Sequence, residues 1–126
     1  NGNILQGQPT AYYYNYIDTV SPHLCAEMMN YMKYDAGNMG NHDVETGRAV
    51  FDRWINTCDF PVLGANIIDT STGEPHLPPY KVMERDGVKI VILGMITPAI
   101  PAWLSVERLA FRRYGRDGTQ MDEDYP

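Results

Sequence analysis

Cysteine is scarce in this sequence, with two copies among 126 residues. That excludes a multiply bridged scaffold. Cys25 and Cys58 could form one disulfide at most. Nothing in their spacing brings them together, so they read as buried free thiols. Long apolar runs are also missing. The longest, Val88 to Ile96, is broken by Lys89 and is too short to span a bilayer. There is no basic stripe, and the formal net charge of −6 argues against a nucleic-acid polymer as partner. A small anionic substrate would need a metal or a local cluster of donors to overcome that charge. No methionine opens the chain, so the lack of a visible signal peptide carries no weight.

What is present suffices for one domain with a single modest core. Nine tyrosines and an ordinary hydrophobic content argue for a folded chain. "NILQGQP" reads as a strand feeding a loop. The Tyr12–Tyr16 cluster reads as an aromatic wall packed under that loop, with a base-stacking platform as the alternative. "SPHLCAEMMNYMKYD" has helix grammar: Ser21 can cap, Pro22 suits the first helical position, and Leu24, Met28 and Met32 recur at one-turn spacing. Cys25 and Met29 widen that packing face, and His23 reads as solvated. A second helix is predicted over Thr46 to Thr57, burying Val50, Phe51, Trp54 and Ile55.

"FPVLGANII" follows as a buried strand, and "STGEPHLPPY" as a loop with His76 on its surface. In "YKVMER-DG-VKIVILGMI" two β-rich runs flank Asp-Gly, the dipeptide of a tight hairpin turn. The run Val88 to Ile92 is apolar enough for an interior strand. The order of strands and helices predicts an α/β layered fold, with chemistry in loops beyond the strand ends.

The reactive residues stand in "YDAGNMGNHDVETG", residues 34–47. Asn41-His42-Asp43 has two readings. One is a plain turn, because Asn and Asp favour turns. In the other, Asn41 offers a carbonyl oxygen to a divalent metal and His42 faces a substrate oxygen, with Asp43 holding the imidazole in one tautomer.

"GNHDVETG", "NGNILQGQP", "FPVLGAN" and "GVKIVILGMITPAIPAWL" together resemble the calcineurin-like metallophosphoesterases, in the 5′-nucleotidase and 2′,3′-cyclic-nucleotide phosphodiesterase branch. The resemblance covers roughly residues 1–104. It implies a partial layered metallophosphoesterase sandwich, a mixed sheet with flanking helices, truncated at both ends. It also implies Asn41 and Asn3 at metal positions and His42, supported by Asp43, at the phosphoryl group. Gly37 and Gly40 would let backbone approach a metal-bound phosphate. The family's reaction uses two divalent metals, such as Mn, Zn or Fe, to activate a water for in-line attack.

Three departures bear on what this chain can do. Asn3 stands where the family's Gly-Asp motif supplies a bridging carboxylate, and a neutral amide bridges two cations poorly. The preceding Asp-x-His and the later Gly-His-x-His have no counterpart. The complete metal pair is therefore not expected here.

Residues 105–126 leave the resemblance and carry four arginines, against three in the first 104. Synonymous codons for this tail, read one base later, can encode a peptide of the family's character. The tail thus reads as an out-of-frame translation, with a native divergent tail as the alternative, and is expected to be poorly ordered.

The resemblance implies hydrolysis of nucleotide phosphate esters, with this chain inactive as it stands. The alternative is a non-catalytic degenerate member or truncated gene product that self-associates through an exposed sheet edge as a homo-oligomer. A third reading is a nucleotide-binding module built on the Tyr12–Tyr16 cluster, although the resemblance places base recognition in a separate domain. The resemblance also implies export, for example to the periplasm.

Overall fold

The computed structural model describes residues 2–114, 117 and 119–121. Residues 2–8, read from the sequence as a strand feeding a loop, form no strand, because Asn3 at φ 60° and the bends at 5–8 interrupt the extended backbone. After them come a one-turn helix α1 (Pro9–Tyr12) and a π-helical turn (Tyr13–Ile17). Then follow α2 (Leu24–Tyr31), β1 (Gly37–Asn38), α3 (Asn41–Glu45) and α4 (Arg48–Thr57). The second half is β2 (Val62–Leu63), β3 (Ile67–Asp69), β4 (Tyr80–Arg85), β5 (Val88–Leu93), a 3-10 turn (Ile100–Ala102), β6 (Leu109–Phe111), β7 (Arg113–Tyr114) and β8 (Gln120–Met121). Strands β1 and β2 pair in parallel, while β3–β6, β4–β5 and β7–β8 pair antiparallel. The architecture is mixed α/β with small sheets.

Helix α4 owes its position to one face. Val50, Phe51 and Trp54 recur at helical spacing and are buried, where they meet Met29 of α2 and Val62 of β2 in a single core. Asn30 staples α2 to the end of α4: its Nδ2 donates to the Thr57 carbonyl at 2.8 Å, and its Oδ1 accepts from Asp59 N at 2.8 Å. The helix predicted from Thr46 begins two residues later, at Arg48, because Gly47 at φ 91° separates it from α3. The strand predicted over "FPVLGANII" is divided. A turn at Gly64–Asn66 carries the chain from the β1–β2 pair to the β3–β6 pair.

Four further readings are corrected. His23 is buried, not solvated: its Nδ1 caps α2 by accepting from Cys25 N at 3.2 Å, and its Nε2 meets Asn15 Oδ1 at 2.8 Å. Burial, reinforced by the Arg53 charge, pushes the His23 pKa down to about 4. The buried stripe of α2 is Ala26 and Met29, which leaves Met28 and Met32 exposed. Tyr12, Tyr13 and Tyr16 face solvent, and Asn15 is the buried member of that cluster. Strand β5 is exposed along most of its length, although its composition suited an interior strand.

Cys25 and Cys58 are free and half-buried, and desolvation pushes the Cys58 thiol up to about 12. Of the tail, Leu109–Phe111 pairs with β3 and buries Phe111, so this part packs on the core. Residues 115, 116, 118 and 122–126 lie outside the described set.

Candidate functional site

Three pieces of chain meet at the carboxyl end of β1: the N-terminal segment Gly2–Leu5, the turn Met39–Gly40 and the first residues of α3. Asp43 binds them together. Its Oδ2 accepts from Asn3 N at 2.7 Å and from Gly40 N at 2.9 Å. Its Oδ1 accepts from Ile4 N at 2.8 Å and Leu5 N at 2.9 Å. The side chain is fully buried. A buried carboxylate is tolerated only when hydrogen bonds replace its lost water, and four backbone donors do so here. Asp43 therefore serves the backbone, not the imidazole next to it, which corrects the pairing expected from the sequence.

The imidazole has another partner. His42 Nδ1 lies 2.9 Å from Glu45 Oε2, one turn further along α3. Glu45 also accepts from Gln6 Nε2 at 3.3 Å and Asn41 Nδ2 at 3.4 Å. These hydrogen bonds, that from His42 foremost, hold the Glu45 carboxyl below its ordinary pKa. In the neutral ring, this carboxylate places the proton on Nδ1 and leaves Nε2 of the half-exposed imidazole as the acceptor. Glu45 was not singled out from the sequence. The signal was there in its i+3 spacing from His42, had the segment been read as a helix.

Asn3 sits at φ 60°, and its Oδ1 accepts from His42 N at 3.2 Å. A Cβ on Gly40 would fall onto the Asn3 side chain and backbone nitrogen, so only glycine fits there. Gly37 does something different. It lies in β1, where an added Cβ would stand 3.1 Å from the Phe60 ring, so its smallness serves core packing. It does not line the cavity that Asn3, Gly40 and Asn41 share with Gly2, Asn38 and Thr97, a space of about 250 Å³.

Asn38, which the sequence did not single out, fixes the opposite wall. Its Nδ2 donates to the Met39 and Met95 carbonyls at 2.9 and 3.1 Å. Its buried Oδ1 has no hydrogen-bond partner among the described residues. Asn66 fastens the same segment after β5, accepting from Ile96 N at 3.0 Å and donating to the Ile96 carbonyl at 2.8 Å.

The polar side chains lining the cavity are thus neutral, the amides of Asn3, Asn38 and Asn41 and the hydroxyl of Thr97. Among the described residues, no three His, Cys, Asp or Glu side chains come together as a metal site. The one nearby buried carboxylate is saturated by main chain. Two divalent cations need anionic ligands to offset their charge, so these residues do not fit the metal pair that the resemblance implies.

No family model matches the chain. Similarity to individual proteins is nevertheless clear. The trifunctional nucleotide phosphoesterase YfkN of Bacillus subtilis is 34% identical over 118 residues, covering 82% of this chain and 8% of that protein. A 2′,3′-cyclic-nucleotide 2′-phosphodiesterase/3′-nucleotidase of Haemophilus influenzae is 30% identical over 115 residues, covering 82% of this chain and 17% of that protein. The crystal structure of the calcineurin-like phosphoesterase YfkN from Bacillus subtilis superposes with a TM-score of 0.70 at 29% identity, covering 89% of this chain and 39% of the other. The chain spans less than a fifth of the length of either curated relative.

Proposed function

Because the chain belongs, over the length it shares with them, to the calcineurin-like phosphoesterases, we propose that it carries the histidine-bearing part of a site that hydrolyses nucleotide phosphate esters of the 5′-nucleotidase kind. The observation that carries this reading is the His42–Glu45 pair on α3, the helix whose first residue, Asn41, lines the cavity. Glu45 fixes the proton on Nδ1 and leaves Nε2 to exchange a proton with a phosphoryl or leaving-group oxygen. The Asn41 and Asn3 amides face the same cavity and offer it neutral donors and acceptors. Asp43 acts indirectly, by holding Asn3 and α3 in place.

Since the residues present do not fit a metal pair, this chain alone is proposed to turn over no phosphomonoester. Incubation with Mn²⁺ or Zn²⁺ and a generic phosphomonoester is expected to release phosphate no faster than buffer. Robust turnover that disappears in His42→Ala would overturn the proposed inactivity. In a longer gene product that restores the family's remaining motifs, His42→Ala is expected to lower kcat on nucleotides by about 10²–10⁴-fold. An unchanged kcat would overturn the role given to His42. Export of such a product is part of the same proposal, as is the division at residue 104. Sequencing the coding DNA tests that division: a closed, unrelated neighbouring frame removes the out-of-frame origin of residues 105–126.

A second reading rests on the β4–β5 hairpin. Tyr80, Val82, Val91 and Leu93 share one face by register and are all exposed. Glu84 and Lys89 stand opposite each other at its turn end. A twofold-related copy would bring opposite charges together around an apolar centre, so a homo-oligomer through this sheet is proposed. A stable monomer by light scattering at micromolar concentration would exclude it.

A further inference from the structure

Among the described residues two ionisable side chains are fully buried, Asp43 and His23, and the reading above uses only the first. Both ring nitrogens of His23 are committed. Nδ1 accepts from Cys25 N at 3.2 Å, so the proton of the neutral ring sits on Nε2, which donates it to Asn15 Oδ1 at 2.8 Å. Asn15 extends the contact: its Nδ2 donates to the Leu5 carbonyl at 2.7 Å, and Leu5 N donates to Asp43 Oδ1 at 2.9 Å. One hydrogen-bonded line thus runs from the start of α2 to the carboxylate that holds Asn3 and Gly40 at the cavity.

The unit fastened by this line, α1 with the π-helical turn, has little apolar burial of its own. Of residues 9–17 only Ala11 and Asn15 are buried, while Tyr12, Tyr13, Tyr16 and Ile17 are exposed. Its other ties are polar. Arg53 of α4 donates to the Tyr14 and Asp18 carbonyls, and the Tyr16 hydroxyl donates to the Thr46 carbonyl at 3.5 Å. Segments with few buried apolar contacts open at low cost, and a helical turn this short does not persist once detached.

A second proton on the His23 ring has one place to go. It must take the Nδ1 lone pair, where it would point at the Cys25 N–H that Nδ1 now accepts. The imidazolium would also be a buried cation with no carboxylate among its hydrogen-bond partners. The Arg53 cation repels it, the Tyr14 ring stands 6.1 Å away, and the Cys25 thiol is turned to the Ile4 carbonyl. Asp18 spends its carboxylate on the Val20 and Ser21 amides, and Glu27 of α2 is exposed. We propose that His23 is an acid-released latch: neutral, it ties the π-helical turn to α2, and protonated, it releases that turn together with its hold on Leu5. The latch does not rest on the function proposed above.

Its direction with pH follows from the two forms. The released imidazole has the ordinary pKa of 6.5, against about 4 when buried. Opening is therefore unaffected by this group above pH 7, and becomes about twentyfold more frequent between pH 7 and pH 5. Amide hydrogen exchange on the full chain, corrected for intrinsic rates, reads this directly. Tyr12 N and Asp18 N donate within the unit, to the Gln8 and Tyr13 carbonyls. Their protection is expected to fall by that factor, with a shallow urea dependence because little surface opens. In His23→Asn the fall should be under about twofold. Protection that stays level between pH 7 and pH 5 overturns the latch. So does a fall as steep in urea for Tyr12 and Asp18 as for Phe51 of the core, because the whole chain would then be unfolding. The same fall in His23→Asn overturns it too. Should that variant fail to fold, the pH and urea profiles of the wild-type chain decide by the same criteria.

Discussion

The segment around Asp43 and the β4–β5 hairpin meet the same requirement in opposite ways. Near Asp43 the chain pairs its polar groups internally, down to four backbone N–H groups on one buried carboxylate. The hairpin satisfies its own backbone ladder but leaves its side chains to water: Val82, Val88, Val91 and Leu93 are each more than half exposed. The face bearing Lys81 and Arg85 at least leans on Asp35, through Lys81 Nζ to its carbonyl at 2.6 Å and Arg85 Nη2 to its Oδ1 at 2.6 Å. The opposite face has no such prop among the described residues. Composition alone does not separate the two regions. What separates them is whether the partners of each group lie within the chain.

The contrast can be broken most forcefully at its buried end. Asp43→Ala would strand four backbone donors, those of Leu5 and Gly40 buried and those of Asn3 and Ile4 partly so, at roughly 1–3 kcal/mol for each buried one. It is expected to destabilise by on the order of 4 kcal/mol or more, which amounts to loss of cooperative urea unfolding followed by the emission of buried Trp54. A loss under about 1 kcal/mol would mean that the loop is held by something else.

Acid is the next largest probe. His23 has a folded pKa near 4 against an ordinary 6.5, so between those values the unfolded chain binds more protons. Stability therefore falls as pH drops from 6.5 to 4, by on the order of 3 kcal/mol from this group, and is unaffected by it above pH 7. Urea midpoints at pH 7 and pH 4.5 should show the loss, and His23→Asn should flatten it.

At the exposed end, Val91→Lys is expected to change the stability of the monomer by less than about 0.5 kcal/mol, while weakening any self-association seen by light scattering. A large stability change would show that the face is covered within the chain. The smallest effect belongs to the His42–Glu45 pair. His42→Ala removes the main cause of the lowered Glu45 pKa, so carboxyl NMR should show that titration move back toward the ordinary range, with the fold intact.

Much of this was legible in the sequence where one local rule decides. Asp86 and Gly87 take φ 50° and 79°, the left-handed pair that an Asp-Gly hairpin turn requires. The apolar face of α4 followed from spacing. Long-range choices were hidden. His23 is buried because Asn15, eight residues earlier, offers an acceptor in the core, and no periodicity announces that. Asp43 could have served either the imidazole or the backbone, and the arrival of Asn3–Leu5 from 38 to 40 residues away decided it. Glu45 was missed because the glycine-rich segment was read as loop, whereas its middle is helical. The apolar composition of β5 described a strand suited to burial, and burial depends on neighbours that a pattern cannot supply.

The fit between Asn3 and Gly40 has one last consequence. Asparagine and aspartate are isosteric, so exchanging the amide nitrogen of Asn3 for oxygen leaves its contact with Gly40 unchanged in shape. The N–H of His42 would still meet an oxygen there, and the cavity would gain a negative charge without any backbone movement. In steric terms, this pocket stands a single atom away from being an anionic one.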